Sequence, residues 1–271
     1  MIRLLNNSDT GLVLDYCHKY EIETVFLIGN INLYGINNNK NIKRCGDYFG
    51  YFENEELKGI IAFYNLGSVI PHFTSQGAIS YFVELLNDRN FQTLLGVKRI
   101  VNPLLEQINR KIDKFNDSFY LINKNPVEFY NKDLLFKNQK EIDIKKAISF
   151  IIEAEKFGFE SDVTEEYAIN KINECNGDEE LLFGLVNNEI VSQAFIQSTT
   201  ENIAMIGGVY TSLYHRGKGY AKATVYELCK RIISKGKIPV LSVRKNNTPA
   251  YKAYLSIGFE YYDDYLLIDF K

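Results

Sequence analysis

The chain has 271 residues, 46% hydrophobic and 24% charged, with a formal net charge of -3. That balance excludes a disordered chain and a small scaffold that needs disulfides or metal, and the length suggests two units of about 130 residues each. No run reaches about eighteen apolar residues, and "MIRLLNNSDTG" has neither an apolar h-region nor a small-residue cleavage site, so no membrane span is expected and the expected location is cytoplasmic. Cys17, Cys45, Cys175 and Cys229 are scattered without a C-x-x-C pair, and His18, His72 and His215 do not cluster. These spacings point to reduced, buried thiols and to no metal site.

In chain order, "MIRLL" reads as a strand, and "DTGLVLDYCHKY" and "ETVFLIGNINLYG" as helices. "DYFGYFENEELKGIIAFYN" reads as a hairpin turning at Asn54-Glu55. "GSVIPHF" (strand), "AISYFVELLND" (helix), "FQTLLG" (strand), "KRIVNPLLEQINRKI" (helix) and "DSFYLINK" (strand) complete the first half. A polar stretch around Pro126, Asn123 to Asp133, is the expected joint. The second half opens with a possible strand at Leu134 to Lys137 and two amphipathic helices, "EIDIKKAISFIIEAEKFGF" and "TEEYAINKINECNG". A hairpin about Asn187-Asn188 and a strand "NIAMIGGVYT" follow, then a helix from Gly219 to Lys235 that stops at Gly236. "IPVLSV" is a strand, and "NNTPAYKAYLSIGF" a short helix with an Asn cap, Pro249 in its first turn and Gly258 at its end. "FEYYDDYLLIDF" is a last strand or hairpin. The two halves repeat one order of elements without residue-level identity.

One junction carries chemistry. "GGVYTSLYHRGKGYAKA" hands a strand to a helix through Arg216-Gly217-Lys218-Gly219, leaving the first helical amides unpaired and pointing outward. Those amides, the positive end of the helix dipole, glycines at 217 and 219, and cations at Arg216, Lys218 and Lys222 together suit a phosphate. From Arg216 to Lys245 nine Lys or Arg (216, 218, 222, 230, 231, 235, 237, 244, 245) stand against one acid, Glu227. The P-loop pattern fails because no Ser or Thr follows Gly217-Lys218, and the dinucleotide pattern fails because Lys222 stands where its third glycine belongs.

Arg216-Gly217-Lys218-Gly219-Tyr220-Ala221 resembles the [QR]-x-x-G-x-[GA] pyrophosphate loop of the GNAT superfamily of acyl-CoA-dependent N-acyltransferases. Asn247, Ala250, Tyr254, Gly258 and Phe259 match that superfamily's N-x-x-A-x-x-x-Y-x-x-x-G-F helix, and the order of elements from Leu134 to Lys271 agrees. The resemblance implies an α/β (α+β) protein with tandem GNAT-like folds, each a mixed central sheet flanked by helices. Residues 1–125 form a degenerate copy and 126–271 the catalytic domain. It implies acetyl-CoA as acyl donor, no metal, and attack by a small-molecule or peptide amine in a ternary complex. Backbone amides from Gly217 to Ala221, Tyr220 included, would take the pyrophosphate, and the main chain of Val209, Tyr210 and Thr211 the pantetheine arm. Asn247 would contact the CoA arm, and Tyr254 would protonate the departing thiolate. A strand N–H near Val209 would polarise the acyl carbonyl.

Plainer alternatives stand beside these roles. The loop is also readable as an ordinary basic turn, Tyr254 as core packing and Asn247 as a helix cap alone. The family's usual general base on the central strand has no counterpart in "IAMIGGV", which leaves Glu201, or Glu160 and Asp162, acting through water. Between "GSVIPHF" and "AISYFVELL", the first half has "TSQG", with one glycine and no arginine, so a second pyrophosphate site is not expected. A non-catalytic CoA-binding or sensor protein is the alternative function. Nucleic-acid binding through the basic run ranks below both, and oligomeric state stays open.

Overall fold

The computed structural model describes residues 1–175 and 179–271. In chain order the elements are β1 (Ile2–Leu4), α1 (Thr10–His18), α2 (Val25–Tyr34), β2 (Gly46–Glu53), β3 (Glu56–Tyr64), β4 (Ser68–Phe73), α3 (Ala78–Asp88), β5 (Thr93–Val97), α4 (Lys98–Leu105) and β6 (Ile112–Ile122). They continue with β7 (Leu135–Asn138), α5 (Ile144–Gly158), α6 (Glu165–Glu174), β8 (Leu181–Val186), β9 (Glu189–Thr199), β10 (Ile203–Thr211), α7 (Tyr220–Ser234), β11 (Ile238–Arg244), α8 (Thr248–Leu255) and β12 (Glu260–Phe270). The chain forms two compact units, Met1–Tyr120 with Tyr261–Lys271, and Leu121–Glu260.

In the first unit the strand order is β1-β2-β3-β4-β5-β12-β6. Asn54 and Glu55 take φ of 48° and 67°, the left-handed pair that a two-residue hairpin needs. β4 and β5 are parallel and pair only through Ser68 with Thr93 and Val69 with Leu94, then part. The core gathers Val13, Cys17, Leu27, Ile28, Tyr48 and Ile60 between α1, α2 and the sheet. A polar cluster is buried on the same face. Glu23, in the link from α1 to α2, accepts from Tyr262 Oη (2.9 Å), lies 3.1 Å from His72 Nε2 and pairs with Arg99. His72 Nδ1 is 2.8 Å from Tyr16 Oη. Burial pushes the Glu23 carboxyl up, but His72, Arg99 and Tyr262 outweigh it and hold the group below its usual range.

The strand order in the second unit is β7-β8-β9-β10-β11, with only β10 and β11 parallel. Asn187 and Asn188 make the other hairpin turn at φ 50° and 65°. Ala147, Ile151 and Ala154 of α5 pack with Phe183, Leu185 and Tyr210 of the sheet. On α7, Tyr220, Ala223, Thr224, Val225, Leu228, Cys229 and Ile232 are buried, so the stripe starts on Tyr220 and Ala223 instead of on half-buried Ala221. All four cysteines are free and buried, as their spacing suggests.

The structure corrects the sequence reading at two places. The helix read through Ile112 ends at Leu105, and the backbone beyond joins the sheet, with Lys271 N–H on the Lys111 carbonyl at 3.0 Å. The final segment, read as a strand or hairpin, is one strand of 11 residues. That strand also departs from a division at residue 125. β12 pairs antiparallel with β5, Tyr265 opposite Val97 through Asp269 opposite Thr93, so Tyr261–Lys271 groups with the first unit. A hydrophobic pattern specifies that a strand is buried but not which edge it completes, because the ladder partner is remote in sequence. Among the described residues, no helix is long and apolar enough to cross a membrane.

Candidate functional site

β10 and β11 pair from Ile203 with Ile238 to Ile206 with Leu241, and no register continues beyond. On its other side β10 loses step with β9 between Gly207 and Tyr210, leaving Gly208 and Val209 outside the ladder. Gly208 takes φ 58°, and any side chain there would overlap the Phe195 ring. The stretch is therefore released from both neighbours, and such a main chain can pair with an extended, amide-bearing ligand. Gln193 is fully buried opposite. Its Nε2 donates to the Gly208 carbonyl at 3.2 Å, and its Oε1 has no partner among the described residues.

From Thr211 the chain passes through a 3-10 turn, Leu213–His215, to Gly217 and Gly219, each at φ 79°. A side chain at either position would be strained, which is why the glycines stand there. Asp143, Thr164 and Asn247 cap α5, α6 and α8 with side-chain oxygens, whereas α7 starts on Gly219 with no side-chain cap. The first amides of α7 are thus left open at the positive end of a helix of 15 residues. Thr211 Oγ1 and His215 Nδ1, on the approach to the loop, are buried without a partner among the described residues.

The basic run divides in two. Lys230 and Arg231 pair with Glu227, Arg231 also pairs with Glu180, and Lys237 Nζ donates to Thr199 Oγ1 (2.7 Å) and the Thr200 carbonyl (2.6 Å). Arg216, Lys218 and Lys222 have no carboxylate partner among the described residues. Arg216 Nε donates to the Thr211 carbonyl at 3.2 Å, and the Lys222 ammonium lies 3.6 Å from the centre of the Phe129 ring. Three cations without a carboxylate partner among the described residues are therefore carried on the turn and the first turn of an uncapped helix, and that combination favours an anion.

The structure brings Val209, Tyr210 and Thr211 to the end of β10, and Arg216, Gly217, Lys218, Gly219, Tyr220 and Ala221 to the turn that follows. The Tyr210 ring faces α5, where its hydroxyl donates to Glu153 Oε1 at 3.1 Å, so only its main chain is open to a ligand. Burial, then the bond to Glu153, push that phenol up to about 12. Asn247 is exposed, and its Oδ1 accepts from the Ala250 N–H at 3.3 Å, the geometry of a cap. Tyr254 is 6% exposed and stacks at a tilt on Phe259, 5.9 Å between centres. Burial, then proximity to Cys229, push its phenol up, so it holds its proton near neutral pH. Glu201, Glu160 and Asp162 are all exposed.

The carboxylate bonded to β10 is instead Glu153. With Lys145, Lys146, Ser149, Phe150, Glu189 and Ile190 it lines an open depression of about 440 Å³. Its signal in the sequence is the polar spacing Lys145, Ser149, Glu153 along α5, but nothing there ties that face to β10.

The corresponding turn of the first unit, Thr74–Gly77 between β4 and α3, carries the opposite charge. Glu53 Oε1 accepts from Tyr51 Oη (2.8 Å) and Ser75 Oγ (2.6 Å), and Ser75 Oγ accepts from the Gly77 N–H at 3.2 Å. Those two donors hold the Glu53 carboxyl below its usual range.

A family model described as FR47-like protein matches residues 182–268. No curated protein matches the chain. Among solved structures, a GNAT-family acetyltransferase from Colwellia psychrerythraea aligns over 100% of both chains at 15% identity and TM-score 0.57. A GCN5-related N-acetyltransferase from Sphaerobacter thermophilus aligns over 99% of this chain and 94% of its own at 14% identity and TM-score 0.65. A tandem GNAT protein from the clavulanic acid biosynthesis pathway aligns over 99% and 97% at 10% identity and TM-score 0.59. What these share with the chain is the fold. Residues 182–268 therefore resemble the FR47-like model, and the chain has the GNAT fold along its length.

Proposed function

We propose that the chain is an acyl-CoA-dependent N-acyltransferase, carrying acetyl from acetyl-CoA to a primary amine of a small molecule or peptide. The observation that supports this most is the uncapped start of α7, with Gly217 and Gly219 at φ 79° and Arg216, Lys218 and Lys222 without carboxylate partners. In this reading the amides from Gly217 to Ala221 hold the pyrophosphate of CoA. The main chain of Val209, Tyr210 and Thr211 pairs with the pantetheine arm on the side where β10 has parted from β11. Asn247 caps α8 and borders the arm.

Chemistry is direct transfer. The amine nitrogen bonds to the acyl carbon, the carbon–sulfur bond breaks, and the sulfur leaves with a proton from Tyr254. The amine gives up its proton to a base, ultimately to solvent. A buried phenol suits the donor's role, since it enters the reaction protonated. The N–H near Val209 stabilises the oxyanion. The first unit, with Glu53 of β2 bonded to its turn, carries no donor site in this reading.

Isothermal titration of acetyl-CoA tests the site. Wild-type chain is expected to bind and Gly219→Glu is not, while absence of binding by the wild type overturns the reading. A second reading, a CoA-binding sensor without turnover, is favoured by one observation: β10 bears no carboxylate or histidine, and Glu201, Glu160 and Asp162 are exposed. Thiol release from acetyl-CoA over a panel of amines separates the two, because a sensor binds CoA and releases none.

A further inference from the structure

The segment Asn123–Asn131, read from the sequence as a joint, is held along its length by the second unit. Asn123 donates from its N–H to the Pro239 carbonyl (2.9 Å) and from Nδ2 to the Ile257 carbonyl (2.9 Å), and the Val127 N–H reaches the same Ile257 carbonyl at 3.0 Å. Gly258, at φ 95°, lets the segment pass. A Cβ there would meet the Asn125 carbonyl and lie 2.9 Å from the Val127 nitrogen. Six residues after Asn125 the chain has reached α7. Phe129 stands where a Gly219 Cβ would be 3.3 Å from its ring, and the Lys222 ammonium sits over its face. Asn131 Nδ2 donates to the Lys218 carbonyl at 3.0 Å, while its Oδ1 accepts from the Asp133 N–H at 3.1 Å.

We propose that Asn131 and Phe129 are positioning residues of the anion cradle, so that this connecting segment is part of the donor site. The inference rests on the reading that the cradle takes the phosphates of CoA. In a trans peptide the carbonyl and the following N–H point opposite ways. Asn131 holds the Lys218 carbonyl on its side, so the Gly219 N–H is turned away from the connector and into the loop that opens at the start of α7. Gly219 on one side of that peptide, and Gly217 one residue before it, leave the turn free to rotate, and a free peptide loses part of its binding energy when it orders. Phe129 acts on the second half of the cradle. Its ring closes the apolar side of Gly219, and its face holds the Lys222 ammonium by cation–π attraction beside the first turn of α7.

Titration of the full chain with CoA, and separately with inorganic pyrophosphate, tests this on Asn131→Leu, Phe129→Leu and Phe129→Tyr, with a thermal melt of each. Asn131→Leu is expected to weaken both ligands about fivefold to tenfold, the scale of one hydrogen bond. Phe129→Leu is expected to weaken them about threefold, and Phe129→Tyr, which keeps the ring face, to bind within about twofold of wild type. The melting temperatures stay together, which a packing role would not produce together with lost affinity. If wild type binds and both Leu variants bind equally well, the connector is packing only and the inference falls while the acyl-CoA reading stands. Equal losses for Phe129→Leu and Phe129→Tyr overturn the role of the ring face. Failure of wild type to bind either ligand overturns the acyl-CoA reading and this inference with it.

Discussion

Two strand-to-helix turns occupy the same place in the order of elements, and they are electrostatic opposites. Arg216–Gly219 leads β10 into α7 with two glycines at φ 79°, two cations, a third at Lys222 just beyond, and a helix start with no side-chain cap. Thr74–Gly77 leads β4 into α3 with no cation and a single glycine at an ordinary helical φ of -59°. A Cβ on Gly77 would run into the Tyr51 hydroxyl and lie 2.7 Å from Glu53 Oε1, so the space beside that turn is already filled. The path of the chain is alike at the two turns, while the four residues in each set how well the turn suits an anion.

The sharpest way to break the comparison is to move the charge. Gly219→Glu puts a strained backbone and a carboxylate where the cradle needs an open amide, and CoA affinity measured by titration is expected to fall at least about a hundredfold. Tyr254→Phe is expected to lower single-turnover acetyl transfer about a hundredfold with CoA affinity within about twofold of wild type. Equal losses in rate and affinity would return Tyr254 to a packing role.

The next effect belongs to the first unit. Glu23 is depressed in the folded state, so its contribution to stability is complete above its unfolded value of about 4.3 and is lost as pH falls through the lower folded value. Denaturant melts from pH 6 down to pH 3 are expected to show this acid limb in wild type and a flatter one in Glu23→Gln. Loss of the carboxylate is also expected to cost about 1 to 3 kcal/mol near neutrality, since His72 and Tyr262 lose a buried partner while Arg99 keeps Asp263. Smallest is the effect of Glu53→Gln. Titration is expected to give unchanged CoA stoichiometry and affinity, whereas a second bound CoA would show that the carboxylate alone had closed the first unit's turn.

Much of the fold was legible because its signals are local. Asn54-Glu55 and Asn187-Asn188 turn the hairpins since these pairs tolerate positive φ, and Gly236 and Gly258 end their helices at φ 76° and 95° for the same reason. The phosphate-type loop was legible too, because an uncapped helix start after glycine and cation is written in consecutive residues. Glu153, Gln193, Phe129 and Asn131 were not. Each matters through a partner far away in sequence: Tyr210, Gly208, Lys222 and Lys218 respectively.

Sequence alone therefore determined the local form of the proposed donor site: the strand, the RGKG turn and the helix behind it, whose backbone demands are met by neighbouring residues. Tertiary structure decided the rest. It decided that β12 completes the first unit's sheet, that Glu153 and not Glu160 or Glu201 bonds to β10, and that the apparent joint at Asn123–Asn131 is laid on α8 and α7. The reason is physical. Backbone conformation is set within a few residues, whereas ladder partners, burial and charge neutralisation depend on which distant groups the packed chain brings within about 4 Å.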